Sequence, residues 1–494
     1  MAYRHGVYIS EVPTSILPPV QADAGIPFIV GTAPVGMTDE SNVNRPVLCY
    51  TYAEAVAAFG YVAPKPDAAT GLKAFEYTIC EAIYSQFALN GVAPVIIVNV
   101  LDPKKHATSA AASSITIPEA TGSVVVKETG IIPSTVRIST AEGTVYSAGE
   151  DYELTFDDDG FAVISSLKDA EGEYKLAIDT ALTFSAQKTD PTAVAAEDIV
   201  GGVSVDGAKS GLELVEDCYP KFRLVPGTII APGYSHNTSV AAVMASKCTG
   251  INGVFRAISI VDIPTDEVKT YSAAPAWKVN AGITDTYQIA CWPMVALDGM
   301  AFHLSTQLAG LMGKVDAENR DVPYVSPSNK GLKIDGTILA DGTEVLLNLE
   351  TANYLNGQGI VTAMNFINGW VAWGNRTSIY PSSSDTKDAF IPVRRMFNWI
   401  GNTVVETFWS KVDFPLNRRL VDTVVDSANI WLNGLAAQGA ILGGRLEFQE
   451  AENPATALID GIATFHLYVT PPAPARELEF VLEYDVNYLE TLFN

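Results

Sequence analysis

Residues 477–486 read ELEFVLEYDV. Leu478, Phe480, Leu482, Tyr484 and Val486 fall on one face, and Glu477, Glu479, Glu483 and Asp485 on the other, with Val481 the exception. A period of two marks a half-buried β-strand, about 34 Å long at ~3.4 Å per residue. Such a strand needs an edge to pair with, in its own subunit or in a neighbour. Covering Leu478, Phe480, Leu482 and Tyr484 contributes on the order of 6–10 kcal/mol, at about 1.5–3 per large side chain. Left bare, the same edge is an aggregation site. Pairing within the subunit is the plainer option. The preceding TPPAPARE (470–477) favours the other, because a Pro-rich spacer lets a strand reach another sheet. If that contact is head-to-tail, the assembly runs on as a ring or helix.

The opposite end carries a counterpart. GVYISEVP (6–13) holds a short apolar run, Val7, Tyr8 and Ile9, and Pro18-Pro19 then stiffens an extended connector. Residues 1–22 are therefore expected to be an arm. IPFIVGTAP (26–34) and APVIIVNVLD (93–102) read as buried strands, with helices over YAEAVAAFG (52–60) and LKAFEYTICEAIYSQFALNG (72–91) between them. This is a β-α-β start for an α/β core that begins at 23–106.

Between 107 and 200 the composition turns to Thr, Ser, Val, Glu and Asp in short alternating runs, with 16 acids against 5 bases. An inserted, exposed, acidic β-domain is expected, with turns at Asp159-Gly160 and Glu171-Gly172. DDDG (157–160) lacks the spaced oxygen ligands of a calcium loop and reads as a hairpin turn.

The α/β rhythm resumes over 201–345. GTIIAPG, VFRAISIVDIP and YQIACWPMV read as strands; 239–248, DEVKTYSAAPAWK and GMAFHLSTQLAGLMGKV read as helices. From 346 to 476 a helix (346–356) precedes a hairpin around Asn368-Gly369. Two helices over 393–412 and 419–441 and strands at GGRLEFQ and ATFHLYV complete the segment, before the strand arm at 477–494. The fold class is mixed α/β (α+β), in several domains.

The 494 residues exceed one ordinary core, and 48% apolar with 18% charged residues fits packed globular domains. A net charge of −25 argues against broad nucleic-acid binding. Five cysteines without a CxxC pair read as buried thiols in a reducing compartment. No secretory h-region and no run long enough to span a membrane is visible, so the chain is expected in the cytoplasm unless it leaves as part of something larger. GxxxxGK[ST], HExxH and GxSxG are absent, and Gly357-Gln358-Gly359 and GAILGG fall short of a nucleotide fingerprint. His303 reads as a packed histidine in an apolar helix, and His236 has no Asp or Cys beside it in sequence to complete a constellation. No catalytic residue, cofactor or metal site is expected.

Several short stretches, in order, carry a resemblance: GVYISEVP; IIAPGYS (229–235); PYVSPSNKG (323–331); VAWGNRT (371–377); FIPVRRM (390–396); GAILGGRLEF (439–448) and ENPATALIDG (452–461). Together they span nearly all the chain outside 107–200. The chain resembles the tail sheath proteins of contractile-tailed bacteriophages, of the Myoviridae type that includes Mu-like phages. The resemblance implies a structural protein and not an enzyme. It implies hexameric rings stacked as a helical sleeve around a tail tube protein, with baseplate and tail terminator proteins at the ends. It further implies contraction that drives the tube through the host envelope for genome ejection, assembly in the host bacterial cytoplasm, and residence in the virion tail. Terminal arms would donate strands to adjacent subunits, here through Val7, Tyr8, Ile9, Leu478, Phe480, Leu482 and Tyr484. Arg376, Arg394 and Arg395 are candidate charges, facing the tube or an adjacent subunit's acids, or else paired within the core. A phage-derived bacteriocin or injection device is the alternative setting. A tube or baseplate component, or an α/β enzyme, are the further rivals.

Overall fold

The structure, a computed structural model, describes residues 17–38 and 40–492. In chain order its large sheet comprises β1 (Pro27–Gly31), β2 (Val47–Cys49), β3 (Val95–Asn99), β4 (Thr228–Ile230), β5 (Ile258–Asp262), β6 (Gln288–Cys291), β7 (Ile360–Phe366) and β8 (Gly369–Trp373). The spatial order is β2-β3-β1-β4-β5-β6-β7-β8. The inner strands are parallel, and β2 and β8 close the two edges antiparallel. The sheet thus draws on three of the expected segments, 23–106, 201–345 and 346–476.

Sequence alternation explains the two layers of cover. Ile29, Ile97, Ile230 and Ile260 face one side, and Phe28, Val30, Ile96, Val98 and Ile229 the other. Of the helices α1 (Thr78–Ile83), α2 (Thr238–Cys248) and α3 (Leu304–Glu318), α3 packs Leu308 and Met312 on the first face. α2 packs Val240 and Met244 on the second. Strands buried on both faces need such double cover.

Residues 107–189 form short antiparallel strands around their own core of Ile115, Ile138, Ile164 and Phe184. The hairpin Tyr152–Phe156 to Phe161–Ser166 turns at Asp157–Gly160, where Gly160 adopts φ +83°. A Cβ there would come within 2.9 Å of the Tyr61 carbonyl, so glycine also lets this turn sit against the α/β body.

Several sequence expectations need correction. The helix expected from residue 72 starts at Thr78, because Lys73–Ala74 pairs as a strand, and it ends as a π-helical turn over Tyr84–Asn90. YQIACWPMV is two strands: Gln288–Cys291 in the large sheet and Met294–Leu297 in a second sheet, parted at Pro293, which has no N–H for a ladder. His303 lies ahead of α3 as its N-cap, not within it. The five cysteines are buried and free, and burial pushes the Cys49 thiol up to about 12.

Beyond the large sheet, α4 (Ile391–Phe408) and α5 (Arg418–Ala437) pack through Trp399, Ile400, Trp431 and Leu432. A two-stranded antiparallel sheet, β9 (Gly443–Glu447) and β10 (His466–Thr470), lies against α5 through Leu446, Val424 and Ala428.

Candidate assembly surfaces

Residues 17–24 run extended along α4. Arg395, Trp399, Thr403 and Thr407 are spaced by four, so they line one stripe of that helix. Each bonds the backbone of the extended segment. Arg395 Nη2 donates to Ala24 O (3.2 Å), and Trp399 Nε1 to Ala22 O (2.6 Å). Ala22 N donates to Thr403 Oγ1 (3.2 Å), and Val20 N to Thr407 Oγ1 (3.0 Å). Leu17 N then reaches Ser427 Oγ on α5 (2.9 Å). Backbone groups with no ladder partner are satisfied by this side-chain row. Sequence reasoning missed the row, although the spacing of Arg395, Thr403 and Thr407 along one helix was its signal. Val7, Tyr8 and Ile9 lie outside the described residues.

The other terminus differs. Residues 471–485 carry no strand, and Leu478, Phe480, Leu482 and Tyr484 are 75%, 84%, 95% and 76% exposed. Among the described residues, β9 and β10 pair only with each other, so each offers an open outer edge. Beside them is an apolar groove of about 650 Å³ lined by Phe408, Val424, Trp431, Leu446, Phe465 and Leu467. A two-stranded sheet is marginal by itself, and added strands complete it.

The three arginines occupy distinct places. Arg395 is 4% exposed and forms a bidentate pair with the fully buried Asp316, its Nη1–Oδ1 distance being 3.0 Å. Arg394, equally buried, bonds Asp388 Oδ1 at 3.1 Å and lies over the Tyr287 and Phe397 rings. Both sit in the core of their own chain. Arg376 is half-buried and rests on the Phe390 ring, 3.7 Å from its centroid, with no carboxylate partner among the described residues.

A buried polar cluster lies at the carboxyl end of β5, where α/β enzymes place their sites. Its groups are spent on α3. Asp262 accepts from Ser305 N (2.9 Å) and Oγ (2.5 Å), and from Ser235 Oγ (3.3 Å). Glu81 accepts from His303 N (2.7 Å) and Thr306 Oγ1 (2.5 Å), and pairs with His303 Nδ1 (2.8 Å). Two carboxylates thus hold the positive end of α3. Burial pulls the His303 pKa down, but Glu81 and Asp262 outweigh it and bring it to about 9. A raised imidazolium pKa stabilises the fold fully below its ordinary value near 6.5, and the contribution is lost as pH rises through about 9. His303→Gln is therefore expected to cost up to about 3 kcal/mol of stability at pH 6, read as a lower melting temperature. The gap to the parent protein should narrow in melting curves taken up to pH 10. A gap constant with pH contradicts the charged assignment.

Among the described residues no cluster of His, Cys, Asp or Glu is arranged to hold a metal ion, and no helix is long and apolar enough to cross a membrane.

No family model matches the chain. It is 28% identical over 506 residues to the tail sheath protein of Burkholderia phage BcepMu, covering 99% of this chain and 98% of that one. It is 29% identical over 303 residues to a putative prophage major tail sheath protein of Pseudomonas aeruginosa (strain UCBPP-PA14), covering 60% of this chain and 74% of that one. Its fold matches the sheath of an extracellular contractile injection system (PVC) in the contracted state, with TM-score 0.58, 99% of both chains covered and 15% identity. The likeness read from the sequence is borne out: the curated relatives are tail sheath proteins of a phage and a prophage, and the fold is that of a contractile sheath.

Proposed function

We propose that this chain is the subunit of a contractile tail sheath, of a phage or a phage-derived injection system. Copies form hexameric rings stacked in a helical sleeve around a tail tube protein, ending at baseplate and terminator proteins. One observation carries the reading: a tail whose apolar residues alternate in sequence and lie bare and unpaired, in a chain that also holds a small sheet with two open edges. The tail of one copy, through Leu478, Phe480, Leu482 and Tyr484, adds to the β9–β10 sheet of the next, and Val7, Tyr8 and Ile9 act likewise from the other end. Main-chain pairing gives affinity, and the apolar groove beside the sheet gives register.

Pro471, Pro472 and Pro474 separate tail from body, so the strand stays paired while bodies rotate. The extended sleeve is metastable, and contraction releases free energy as rigid bodies gain side contacts; small gains sum over many copies. The contracting sleeve drives the tube through the host envelope and delivers the genome. The inserted β-domain, acidic and with its own core, stands as an outward knob. Electron microscopy of purified protein tests this reading. Wide sleeves, many already contracted, are expected; narrow smooth tubes would contradict it.

A further inference from the structure

A polar cleft of about 730 Å³ opens where the tail leaves the body. The hairpin end and its following loop, Trp373–Arg376 with Tyr380, make one wall, and residues 474–477 make another. Three cations meet there, Lys330, Arg376 and Arg476, in a chain whose net charge is −25. The one acid in the lining, Glu477, is bonded to the adjacent Arg476 at 3.2 Å. Lys330 is exposed and has no ion pair among the described residues, and among them the Arg376 guanidinium has ring contacts and no ion pair. Burial first, and then the nearby Arg476 charge, hold the Arg376 guanidinium below its ordinary pKa.

The wall carrying Arg376 is fixed in advance. Lys278, only 2% exposed, donates from Nζ to the carbonyls of Gln358 (2.5 Å), Ser378 (2.8 Å) and Tyr380 (2.9 Å). A buried ammonium on three carbonyls staples the loop at Ser378 and Tyr380 to Gln358 and leaves the guanidinium presented on a rigid floor. Rigid presentation lowers the ordering cost of binding.

We propose that this cleft receives a carboxylate-bearing segment of a second copy of the chain. The inference rests on the sheath reading and adds to it a charged contact distinct from strand exchange. Copies this acidic repel one another when packed, and an electropositive cleft turns one such approach into attraction. Because residues 474–477 form a wall, filling the cleft also sets the direction in which the tail departs.

Zero-length carbodiimide cross-linking of polymer made from a mixture of ¹⁴N- and ¹⁵N-labelled protein tests this, since the reagent joins lysine only to a carboxylate in contact. Mass spectrometry is expected to find Lys330 joined to an Asp or Glu of the other isotope. Polymer in which Lys330 is joined only within its own chain, or to nothing, overturns the cleft and leaves the sheath reading standing. In parallel, Lys330→Glu with Arg476→Glu alters two exposed side chains that hold no core. Their polymer yield in low salt should fall at least about tenfold, because like charges then face each other. Lys330→Arg with Arg476→Lys should keep the parental yield. Equal yields from all three proteins overturn the proposal.

Discussion

Truncation after Arg476 is expected to give soluble, folded subunits that sediment as small species and no longer polymerise. The removed segment includes Leu478, Phe480, Leu482 and Tyr484, each at least 75% exposed. They contribute little to the fold of their own subunit, so the melting temperature should move by no more than about 1–2 °C. Between subunits the same side chains are worth on the order of 6–10 kcal/mol once covered. That far exceeds the ~1.4 kcal/mol that shifts an association tenfold. The two halves of the result belong together, intact folding and lost assembly. Analytical sedimentation with a melting curve measures both, and unchanged polymerisation contradicts strand donation.

Arg395→Met is expected to act in the opposite way, on the fold first. Arg395 neutralises Asp316, which is fully buried at the end of α3, and also bonds the carbonyl of Ala24 in the extended segment. Burial raises the Asp316 pKa and the guanidinium opposes that rise. Removing one partner of a buried pair strands the other charge and costs about 3–5 kcal/mol. A fall in melting temperature of roughly 5–10 °C follows for a domain of this size. Replacing both partners, Arg395→Met with Asp316→Leu, should recover much of the loss, since no charge is then left bare. If the double variant melts as low as the single one, the bond to Ala24 and not the ion pair carries the stability.

Much of the fold was legible because its signals are local. Phe28 and Val30 against Ile29 is a two-sided strand in five residues, and Asn368-Gly369 announces its hairpin. The two long helices of the C-terminal segment and the strands at 443–447 and 466–470 were legible from periodicity for the same reason. What escaped depends on partners distant in sequence. The strand at Lys73–Ala74 pairs with Lys65–Pro66 and, on its other side, with Met300 far along the chain, and no local pattern in LKAF announces that second partner. His303 looks like a core residue until Glu81, more than two hundred positions away, is seen beneath it. Arg394 and Arg395 are adjacent in sequence and carry no mark of which acids they reach; Asp388 and Asp316 are found only once α4 is packed. The row from Arg395 to Thr407 was visible as spacing, but its purpose required the extended chain lying across it. The alternation of the tail was legible, but residues 471–485 form no strand in their own subunit, and no partner edge for them appears among the described residues.

A cryo-electron microscopy reconstruction of the assembled polymer tests the central claim most directly. The account predicts residues 478–484 in main-chain register with the outer edge of β9 or β10 of an adjacent copy, with Leu478, Phe480, Leu482 and Tyr484 turned into its apolar groove. A tail folded back onto its own body, with copies touching through side chains alone, would contradict it.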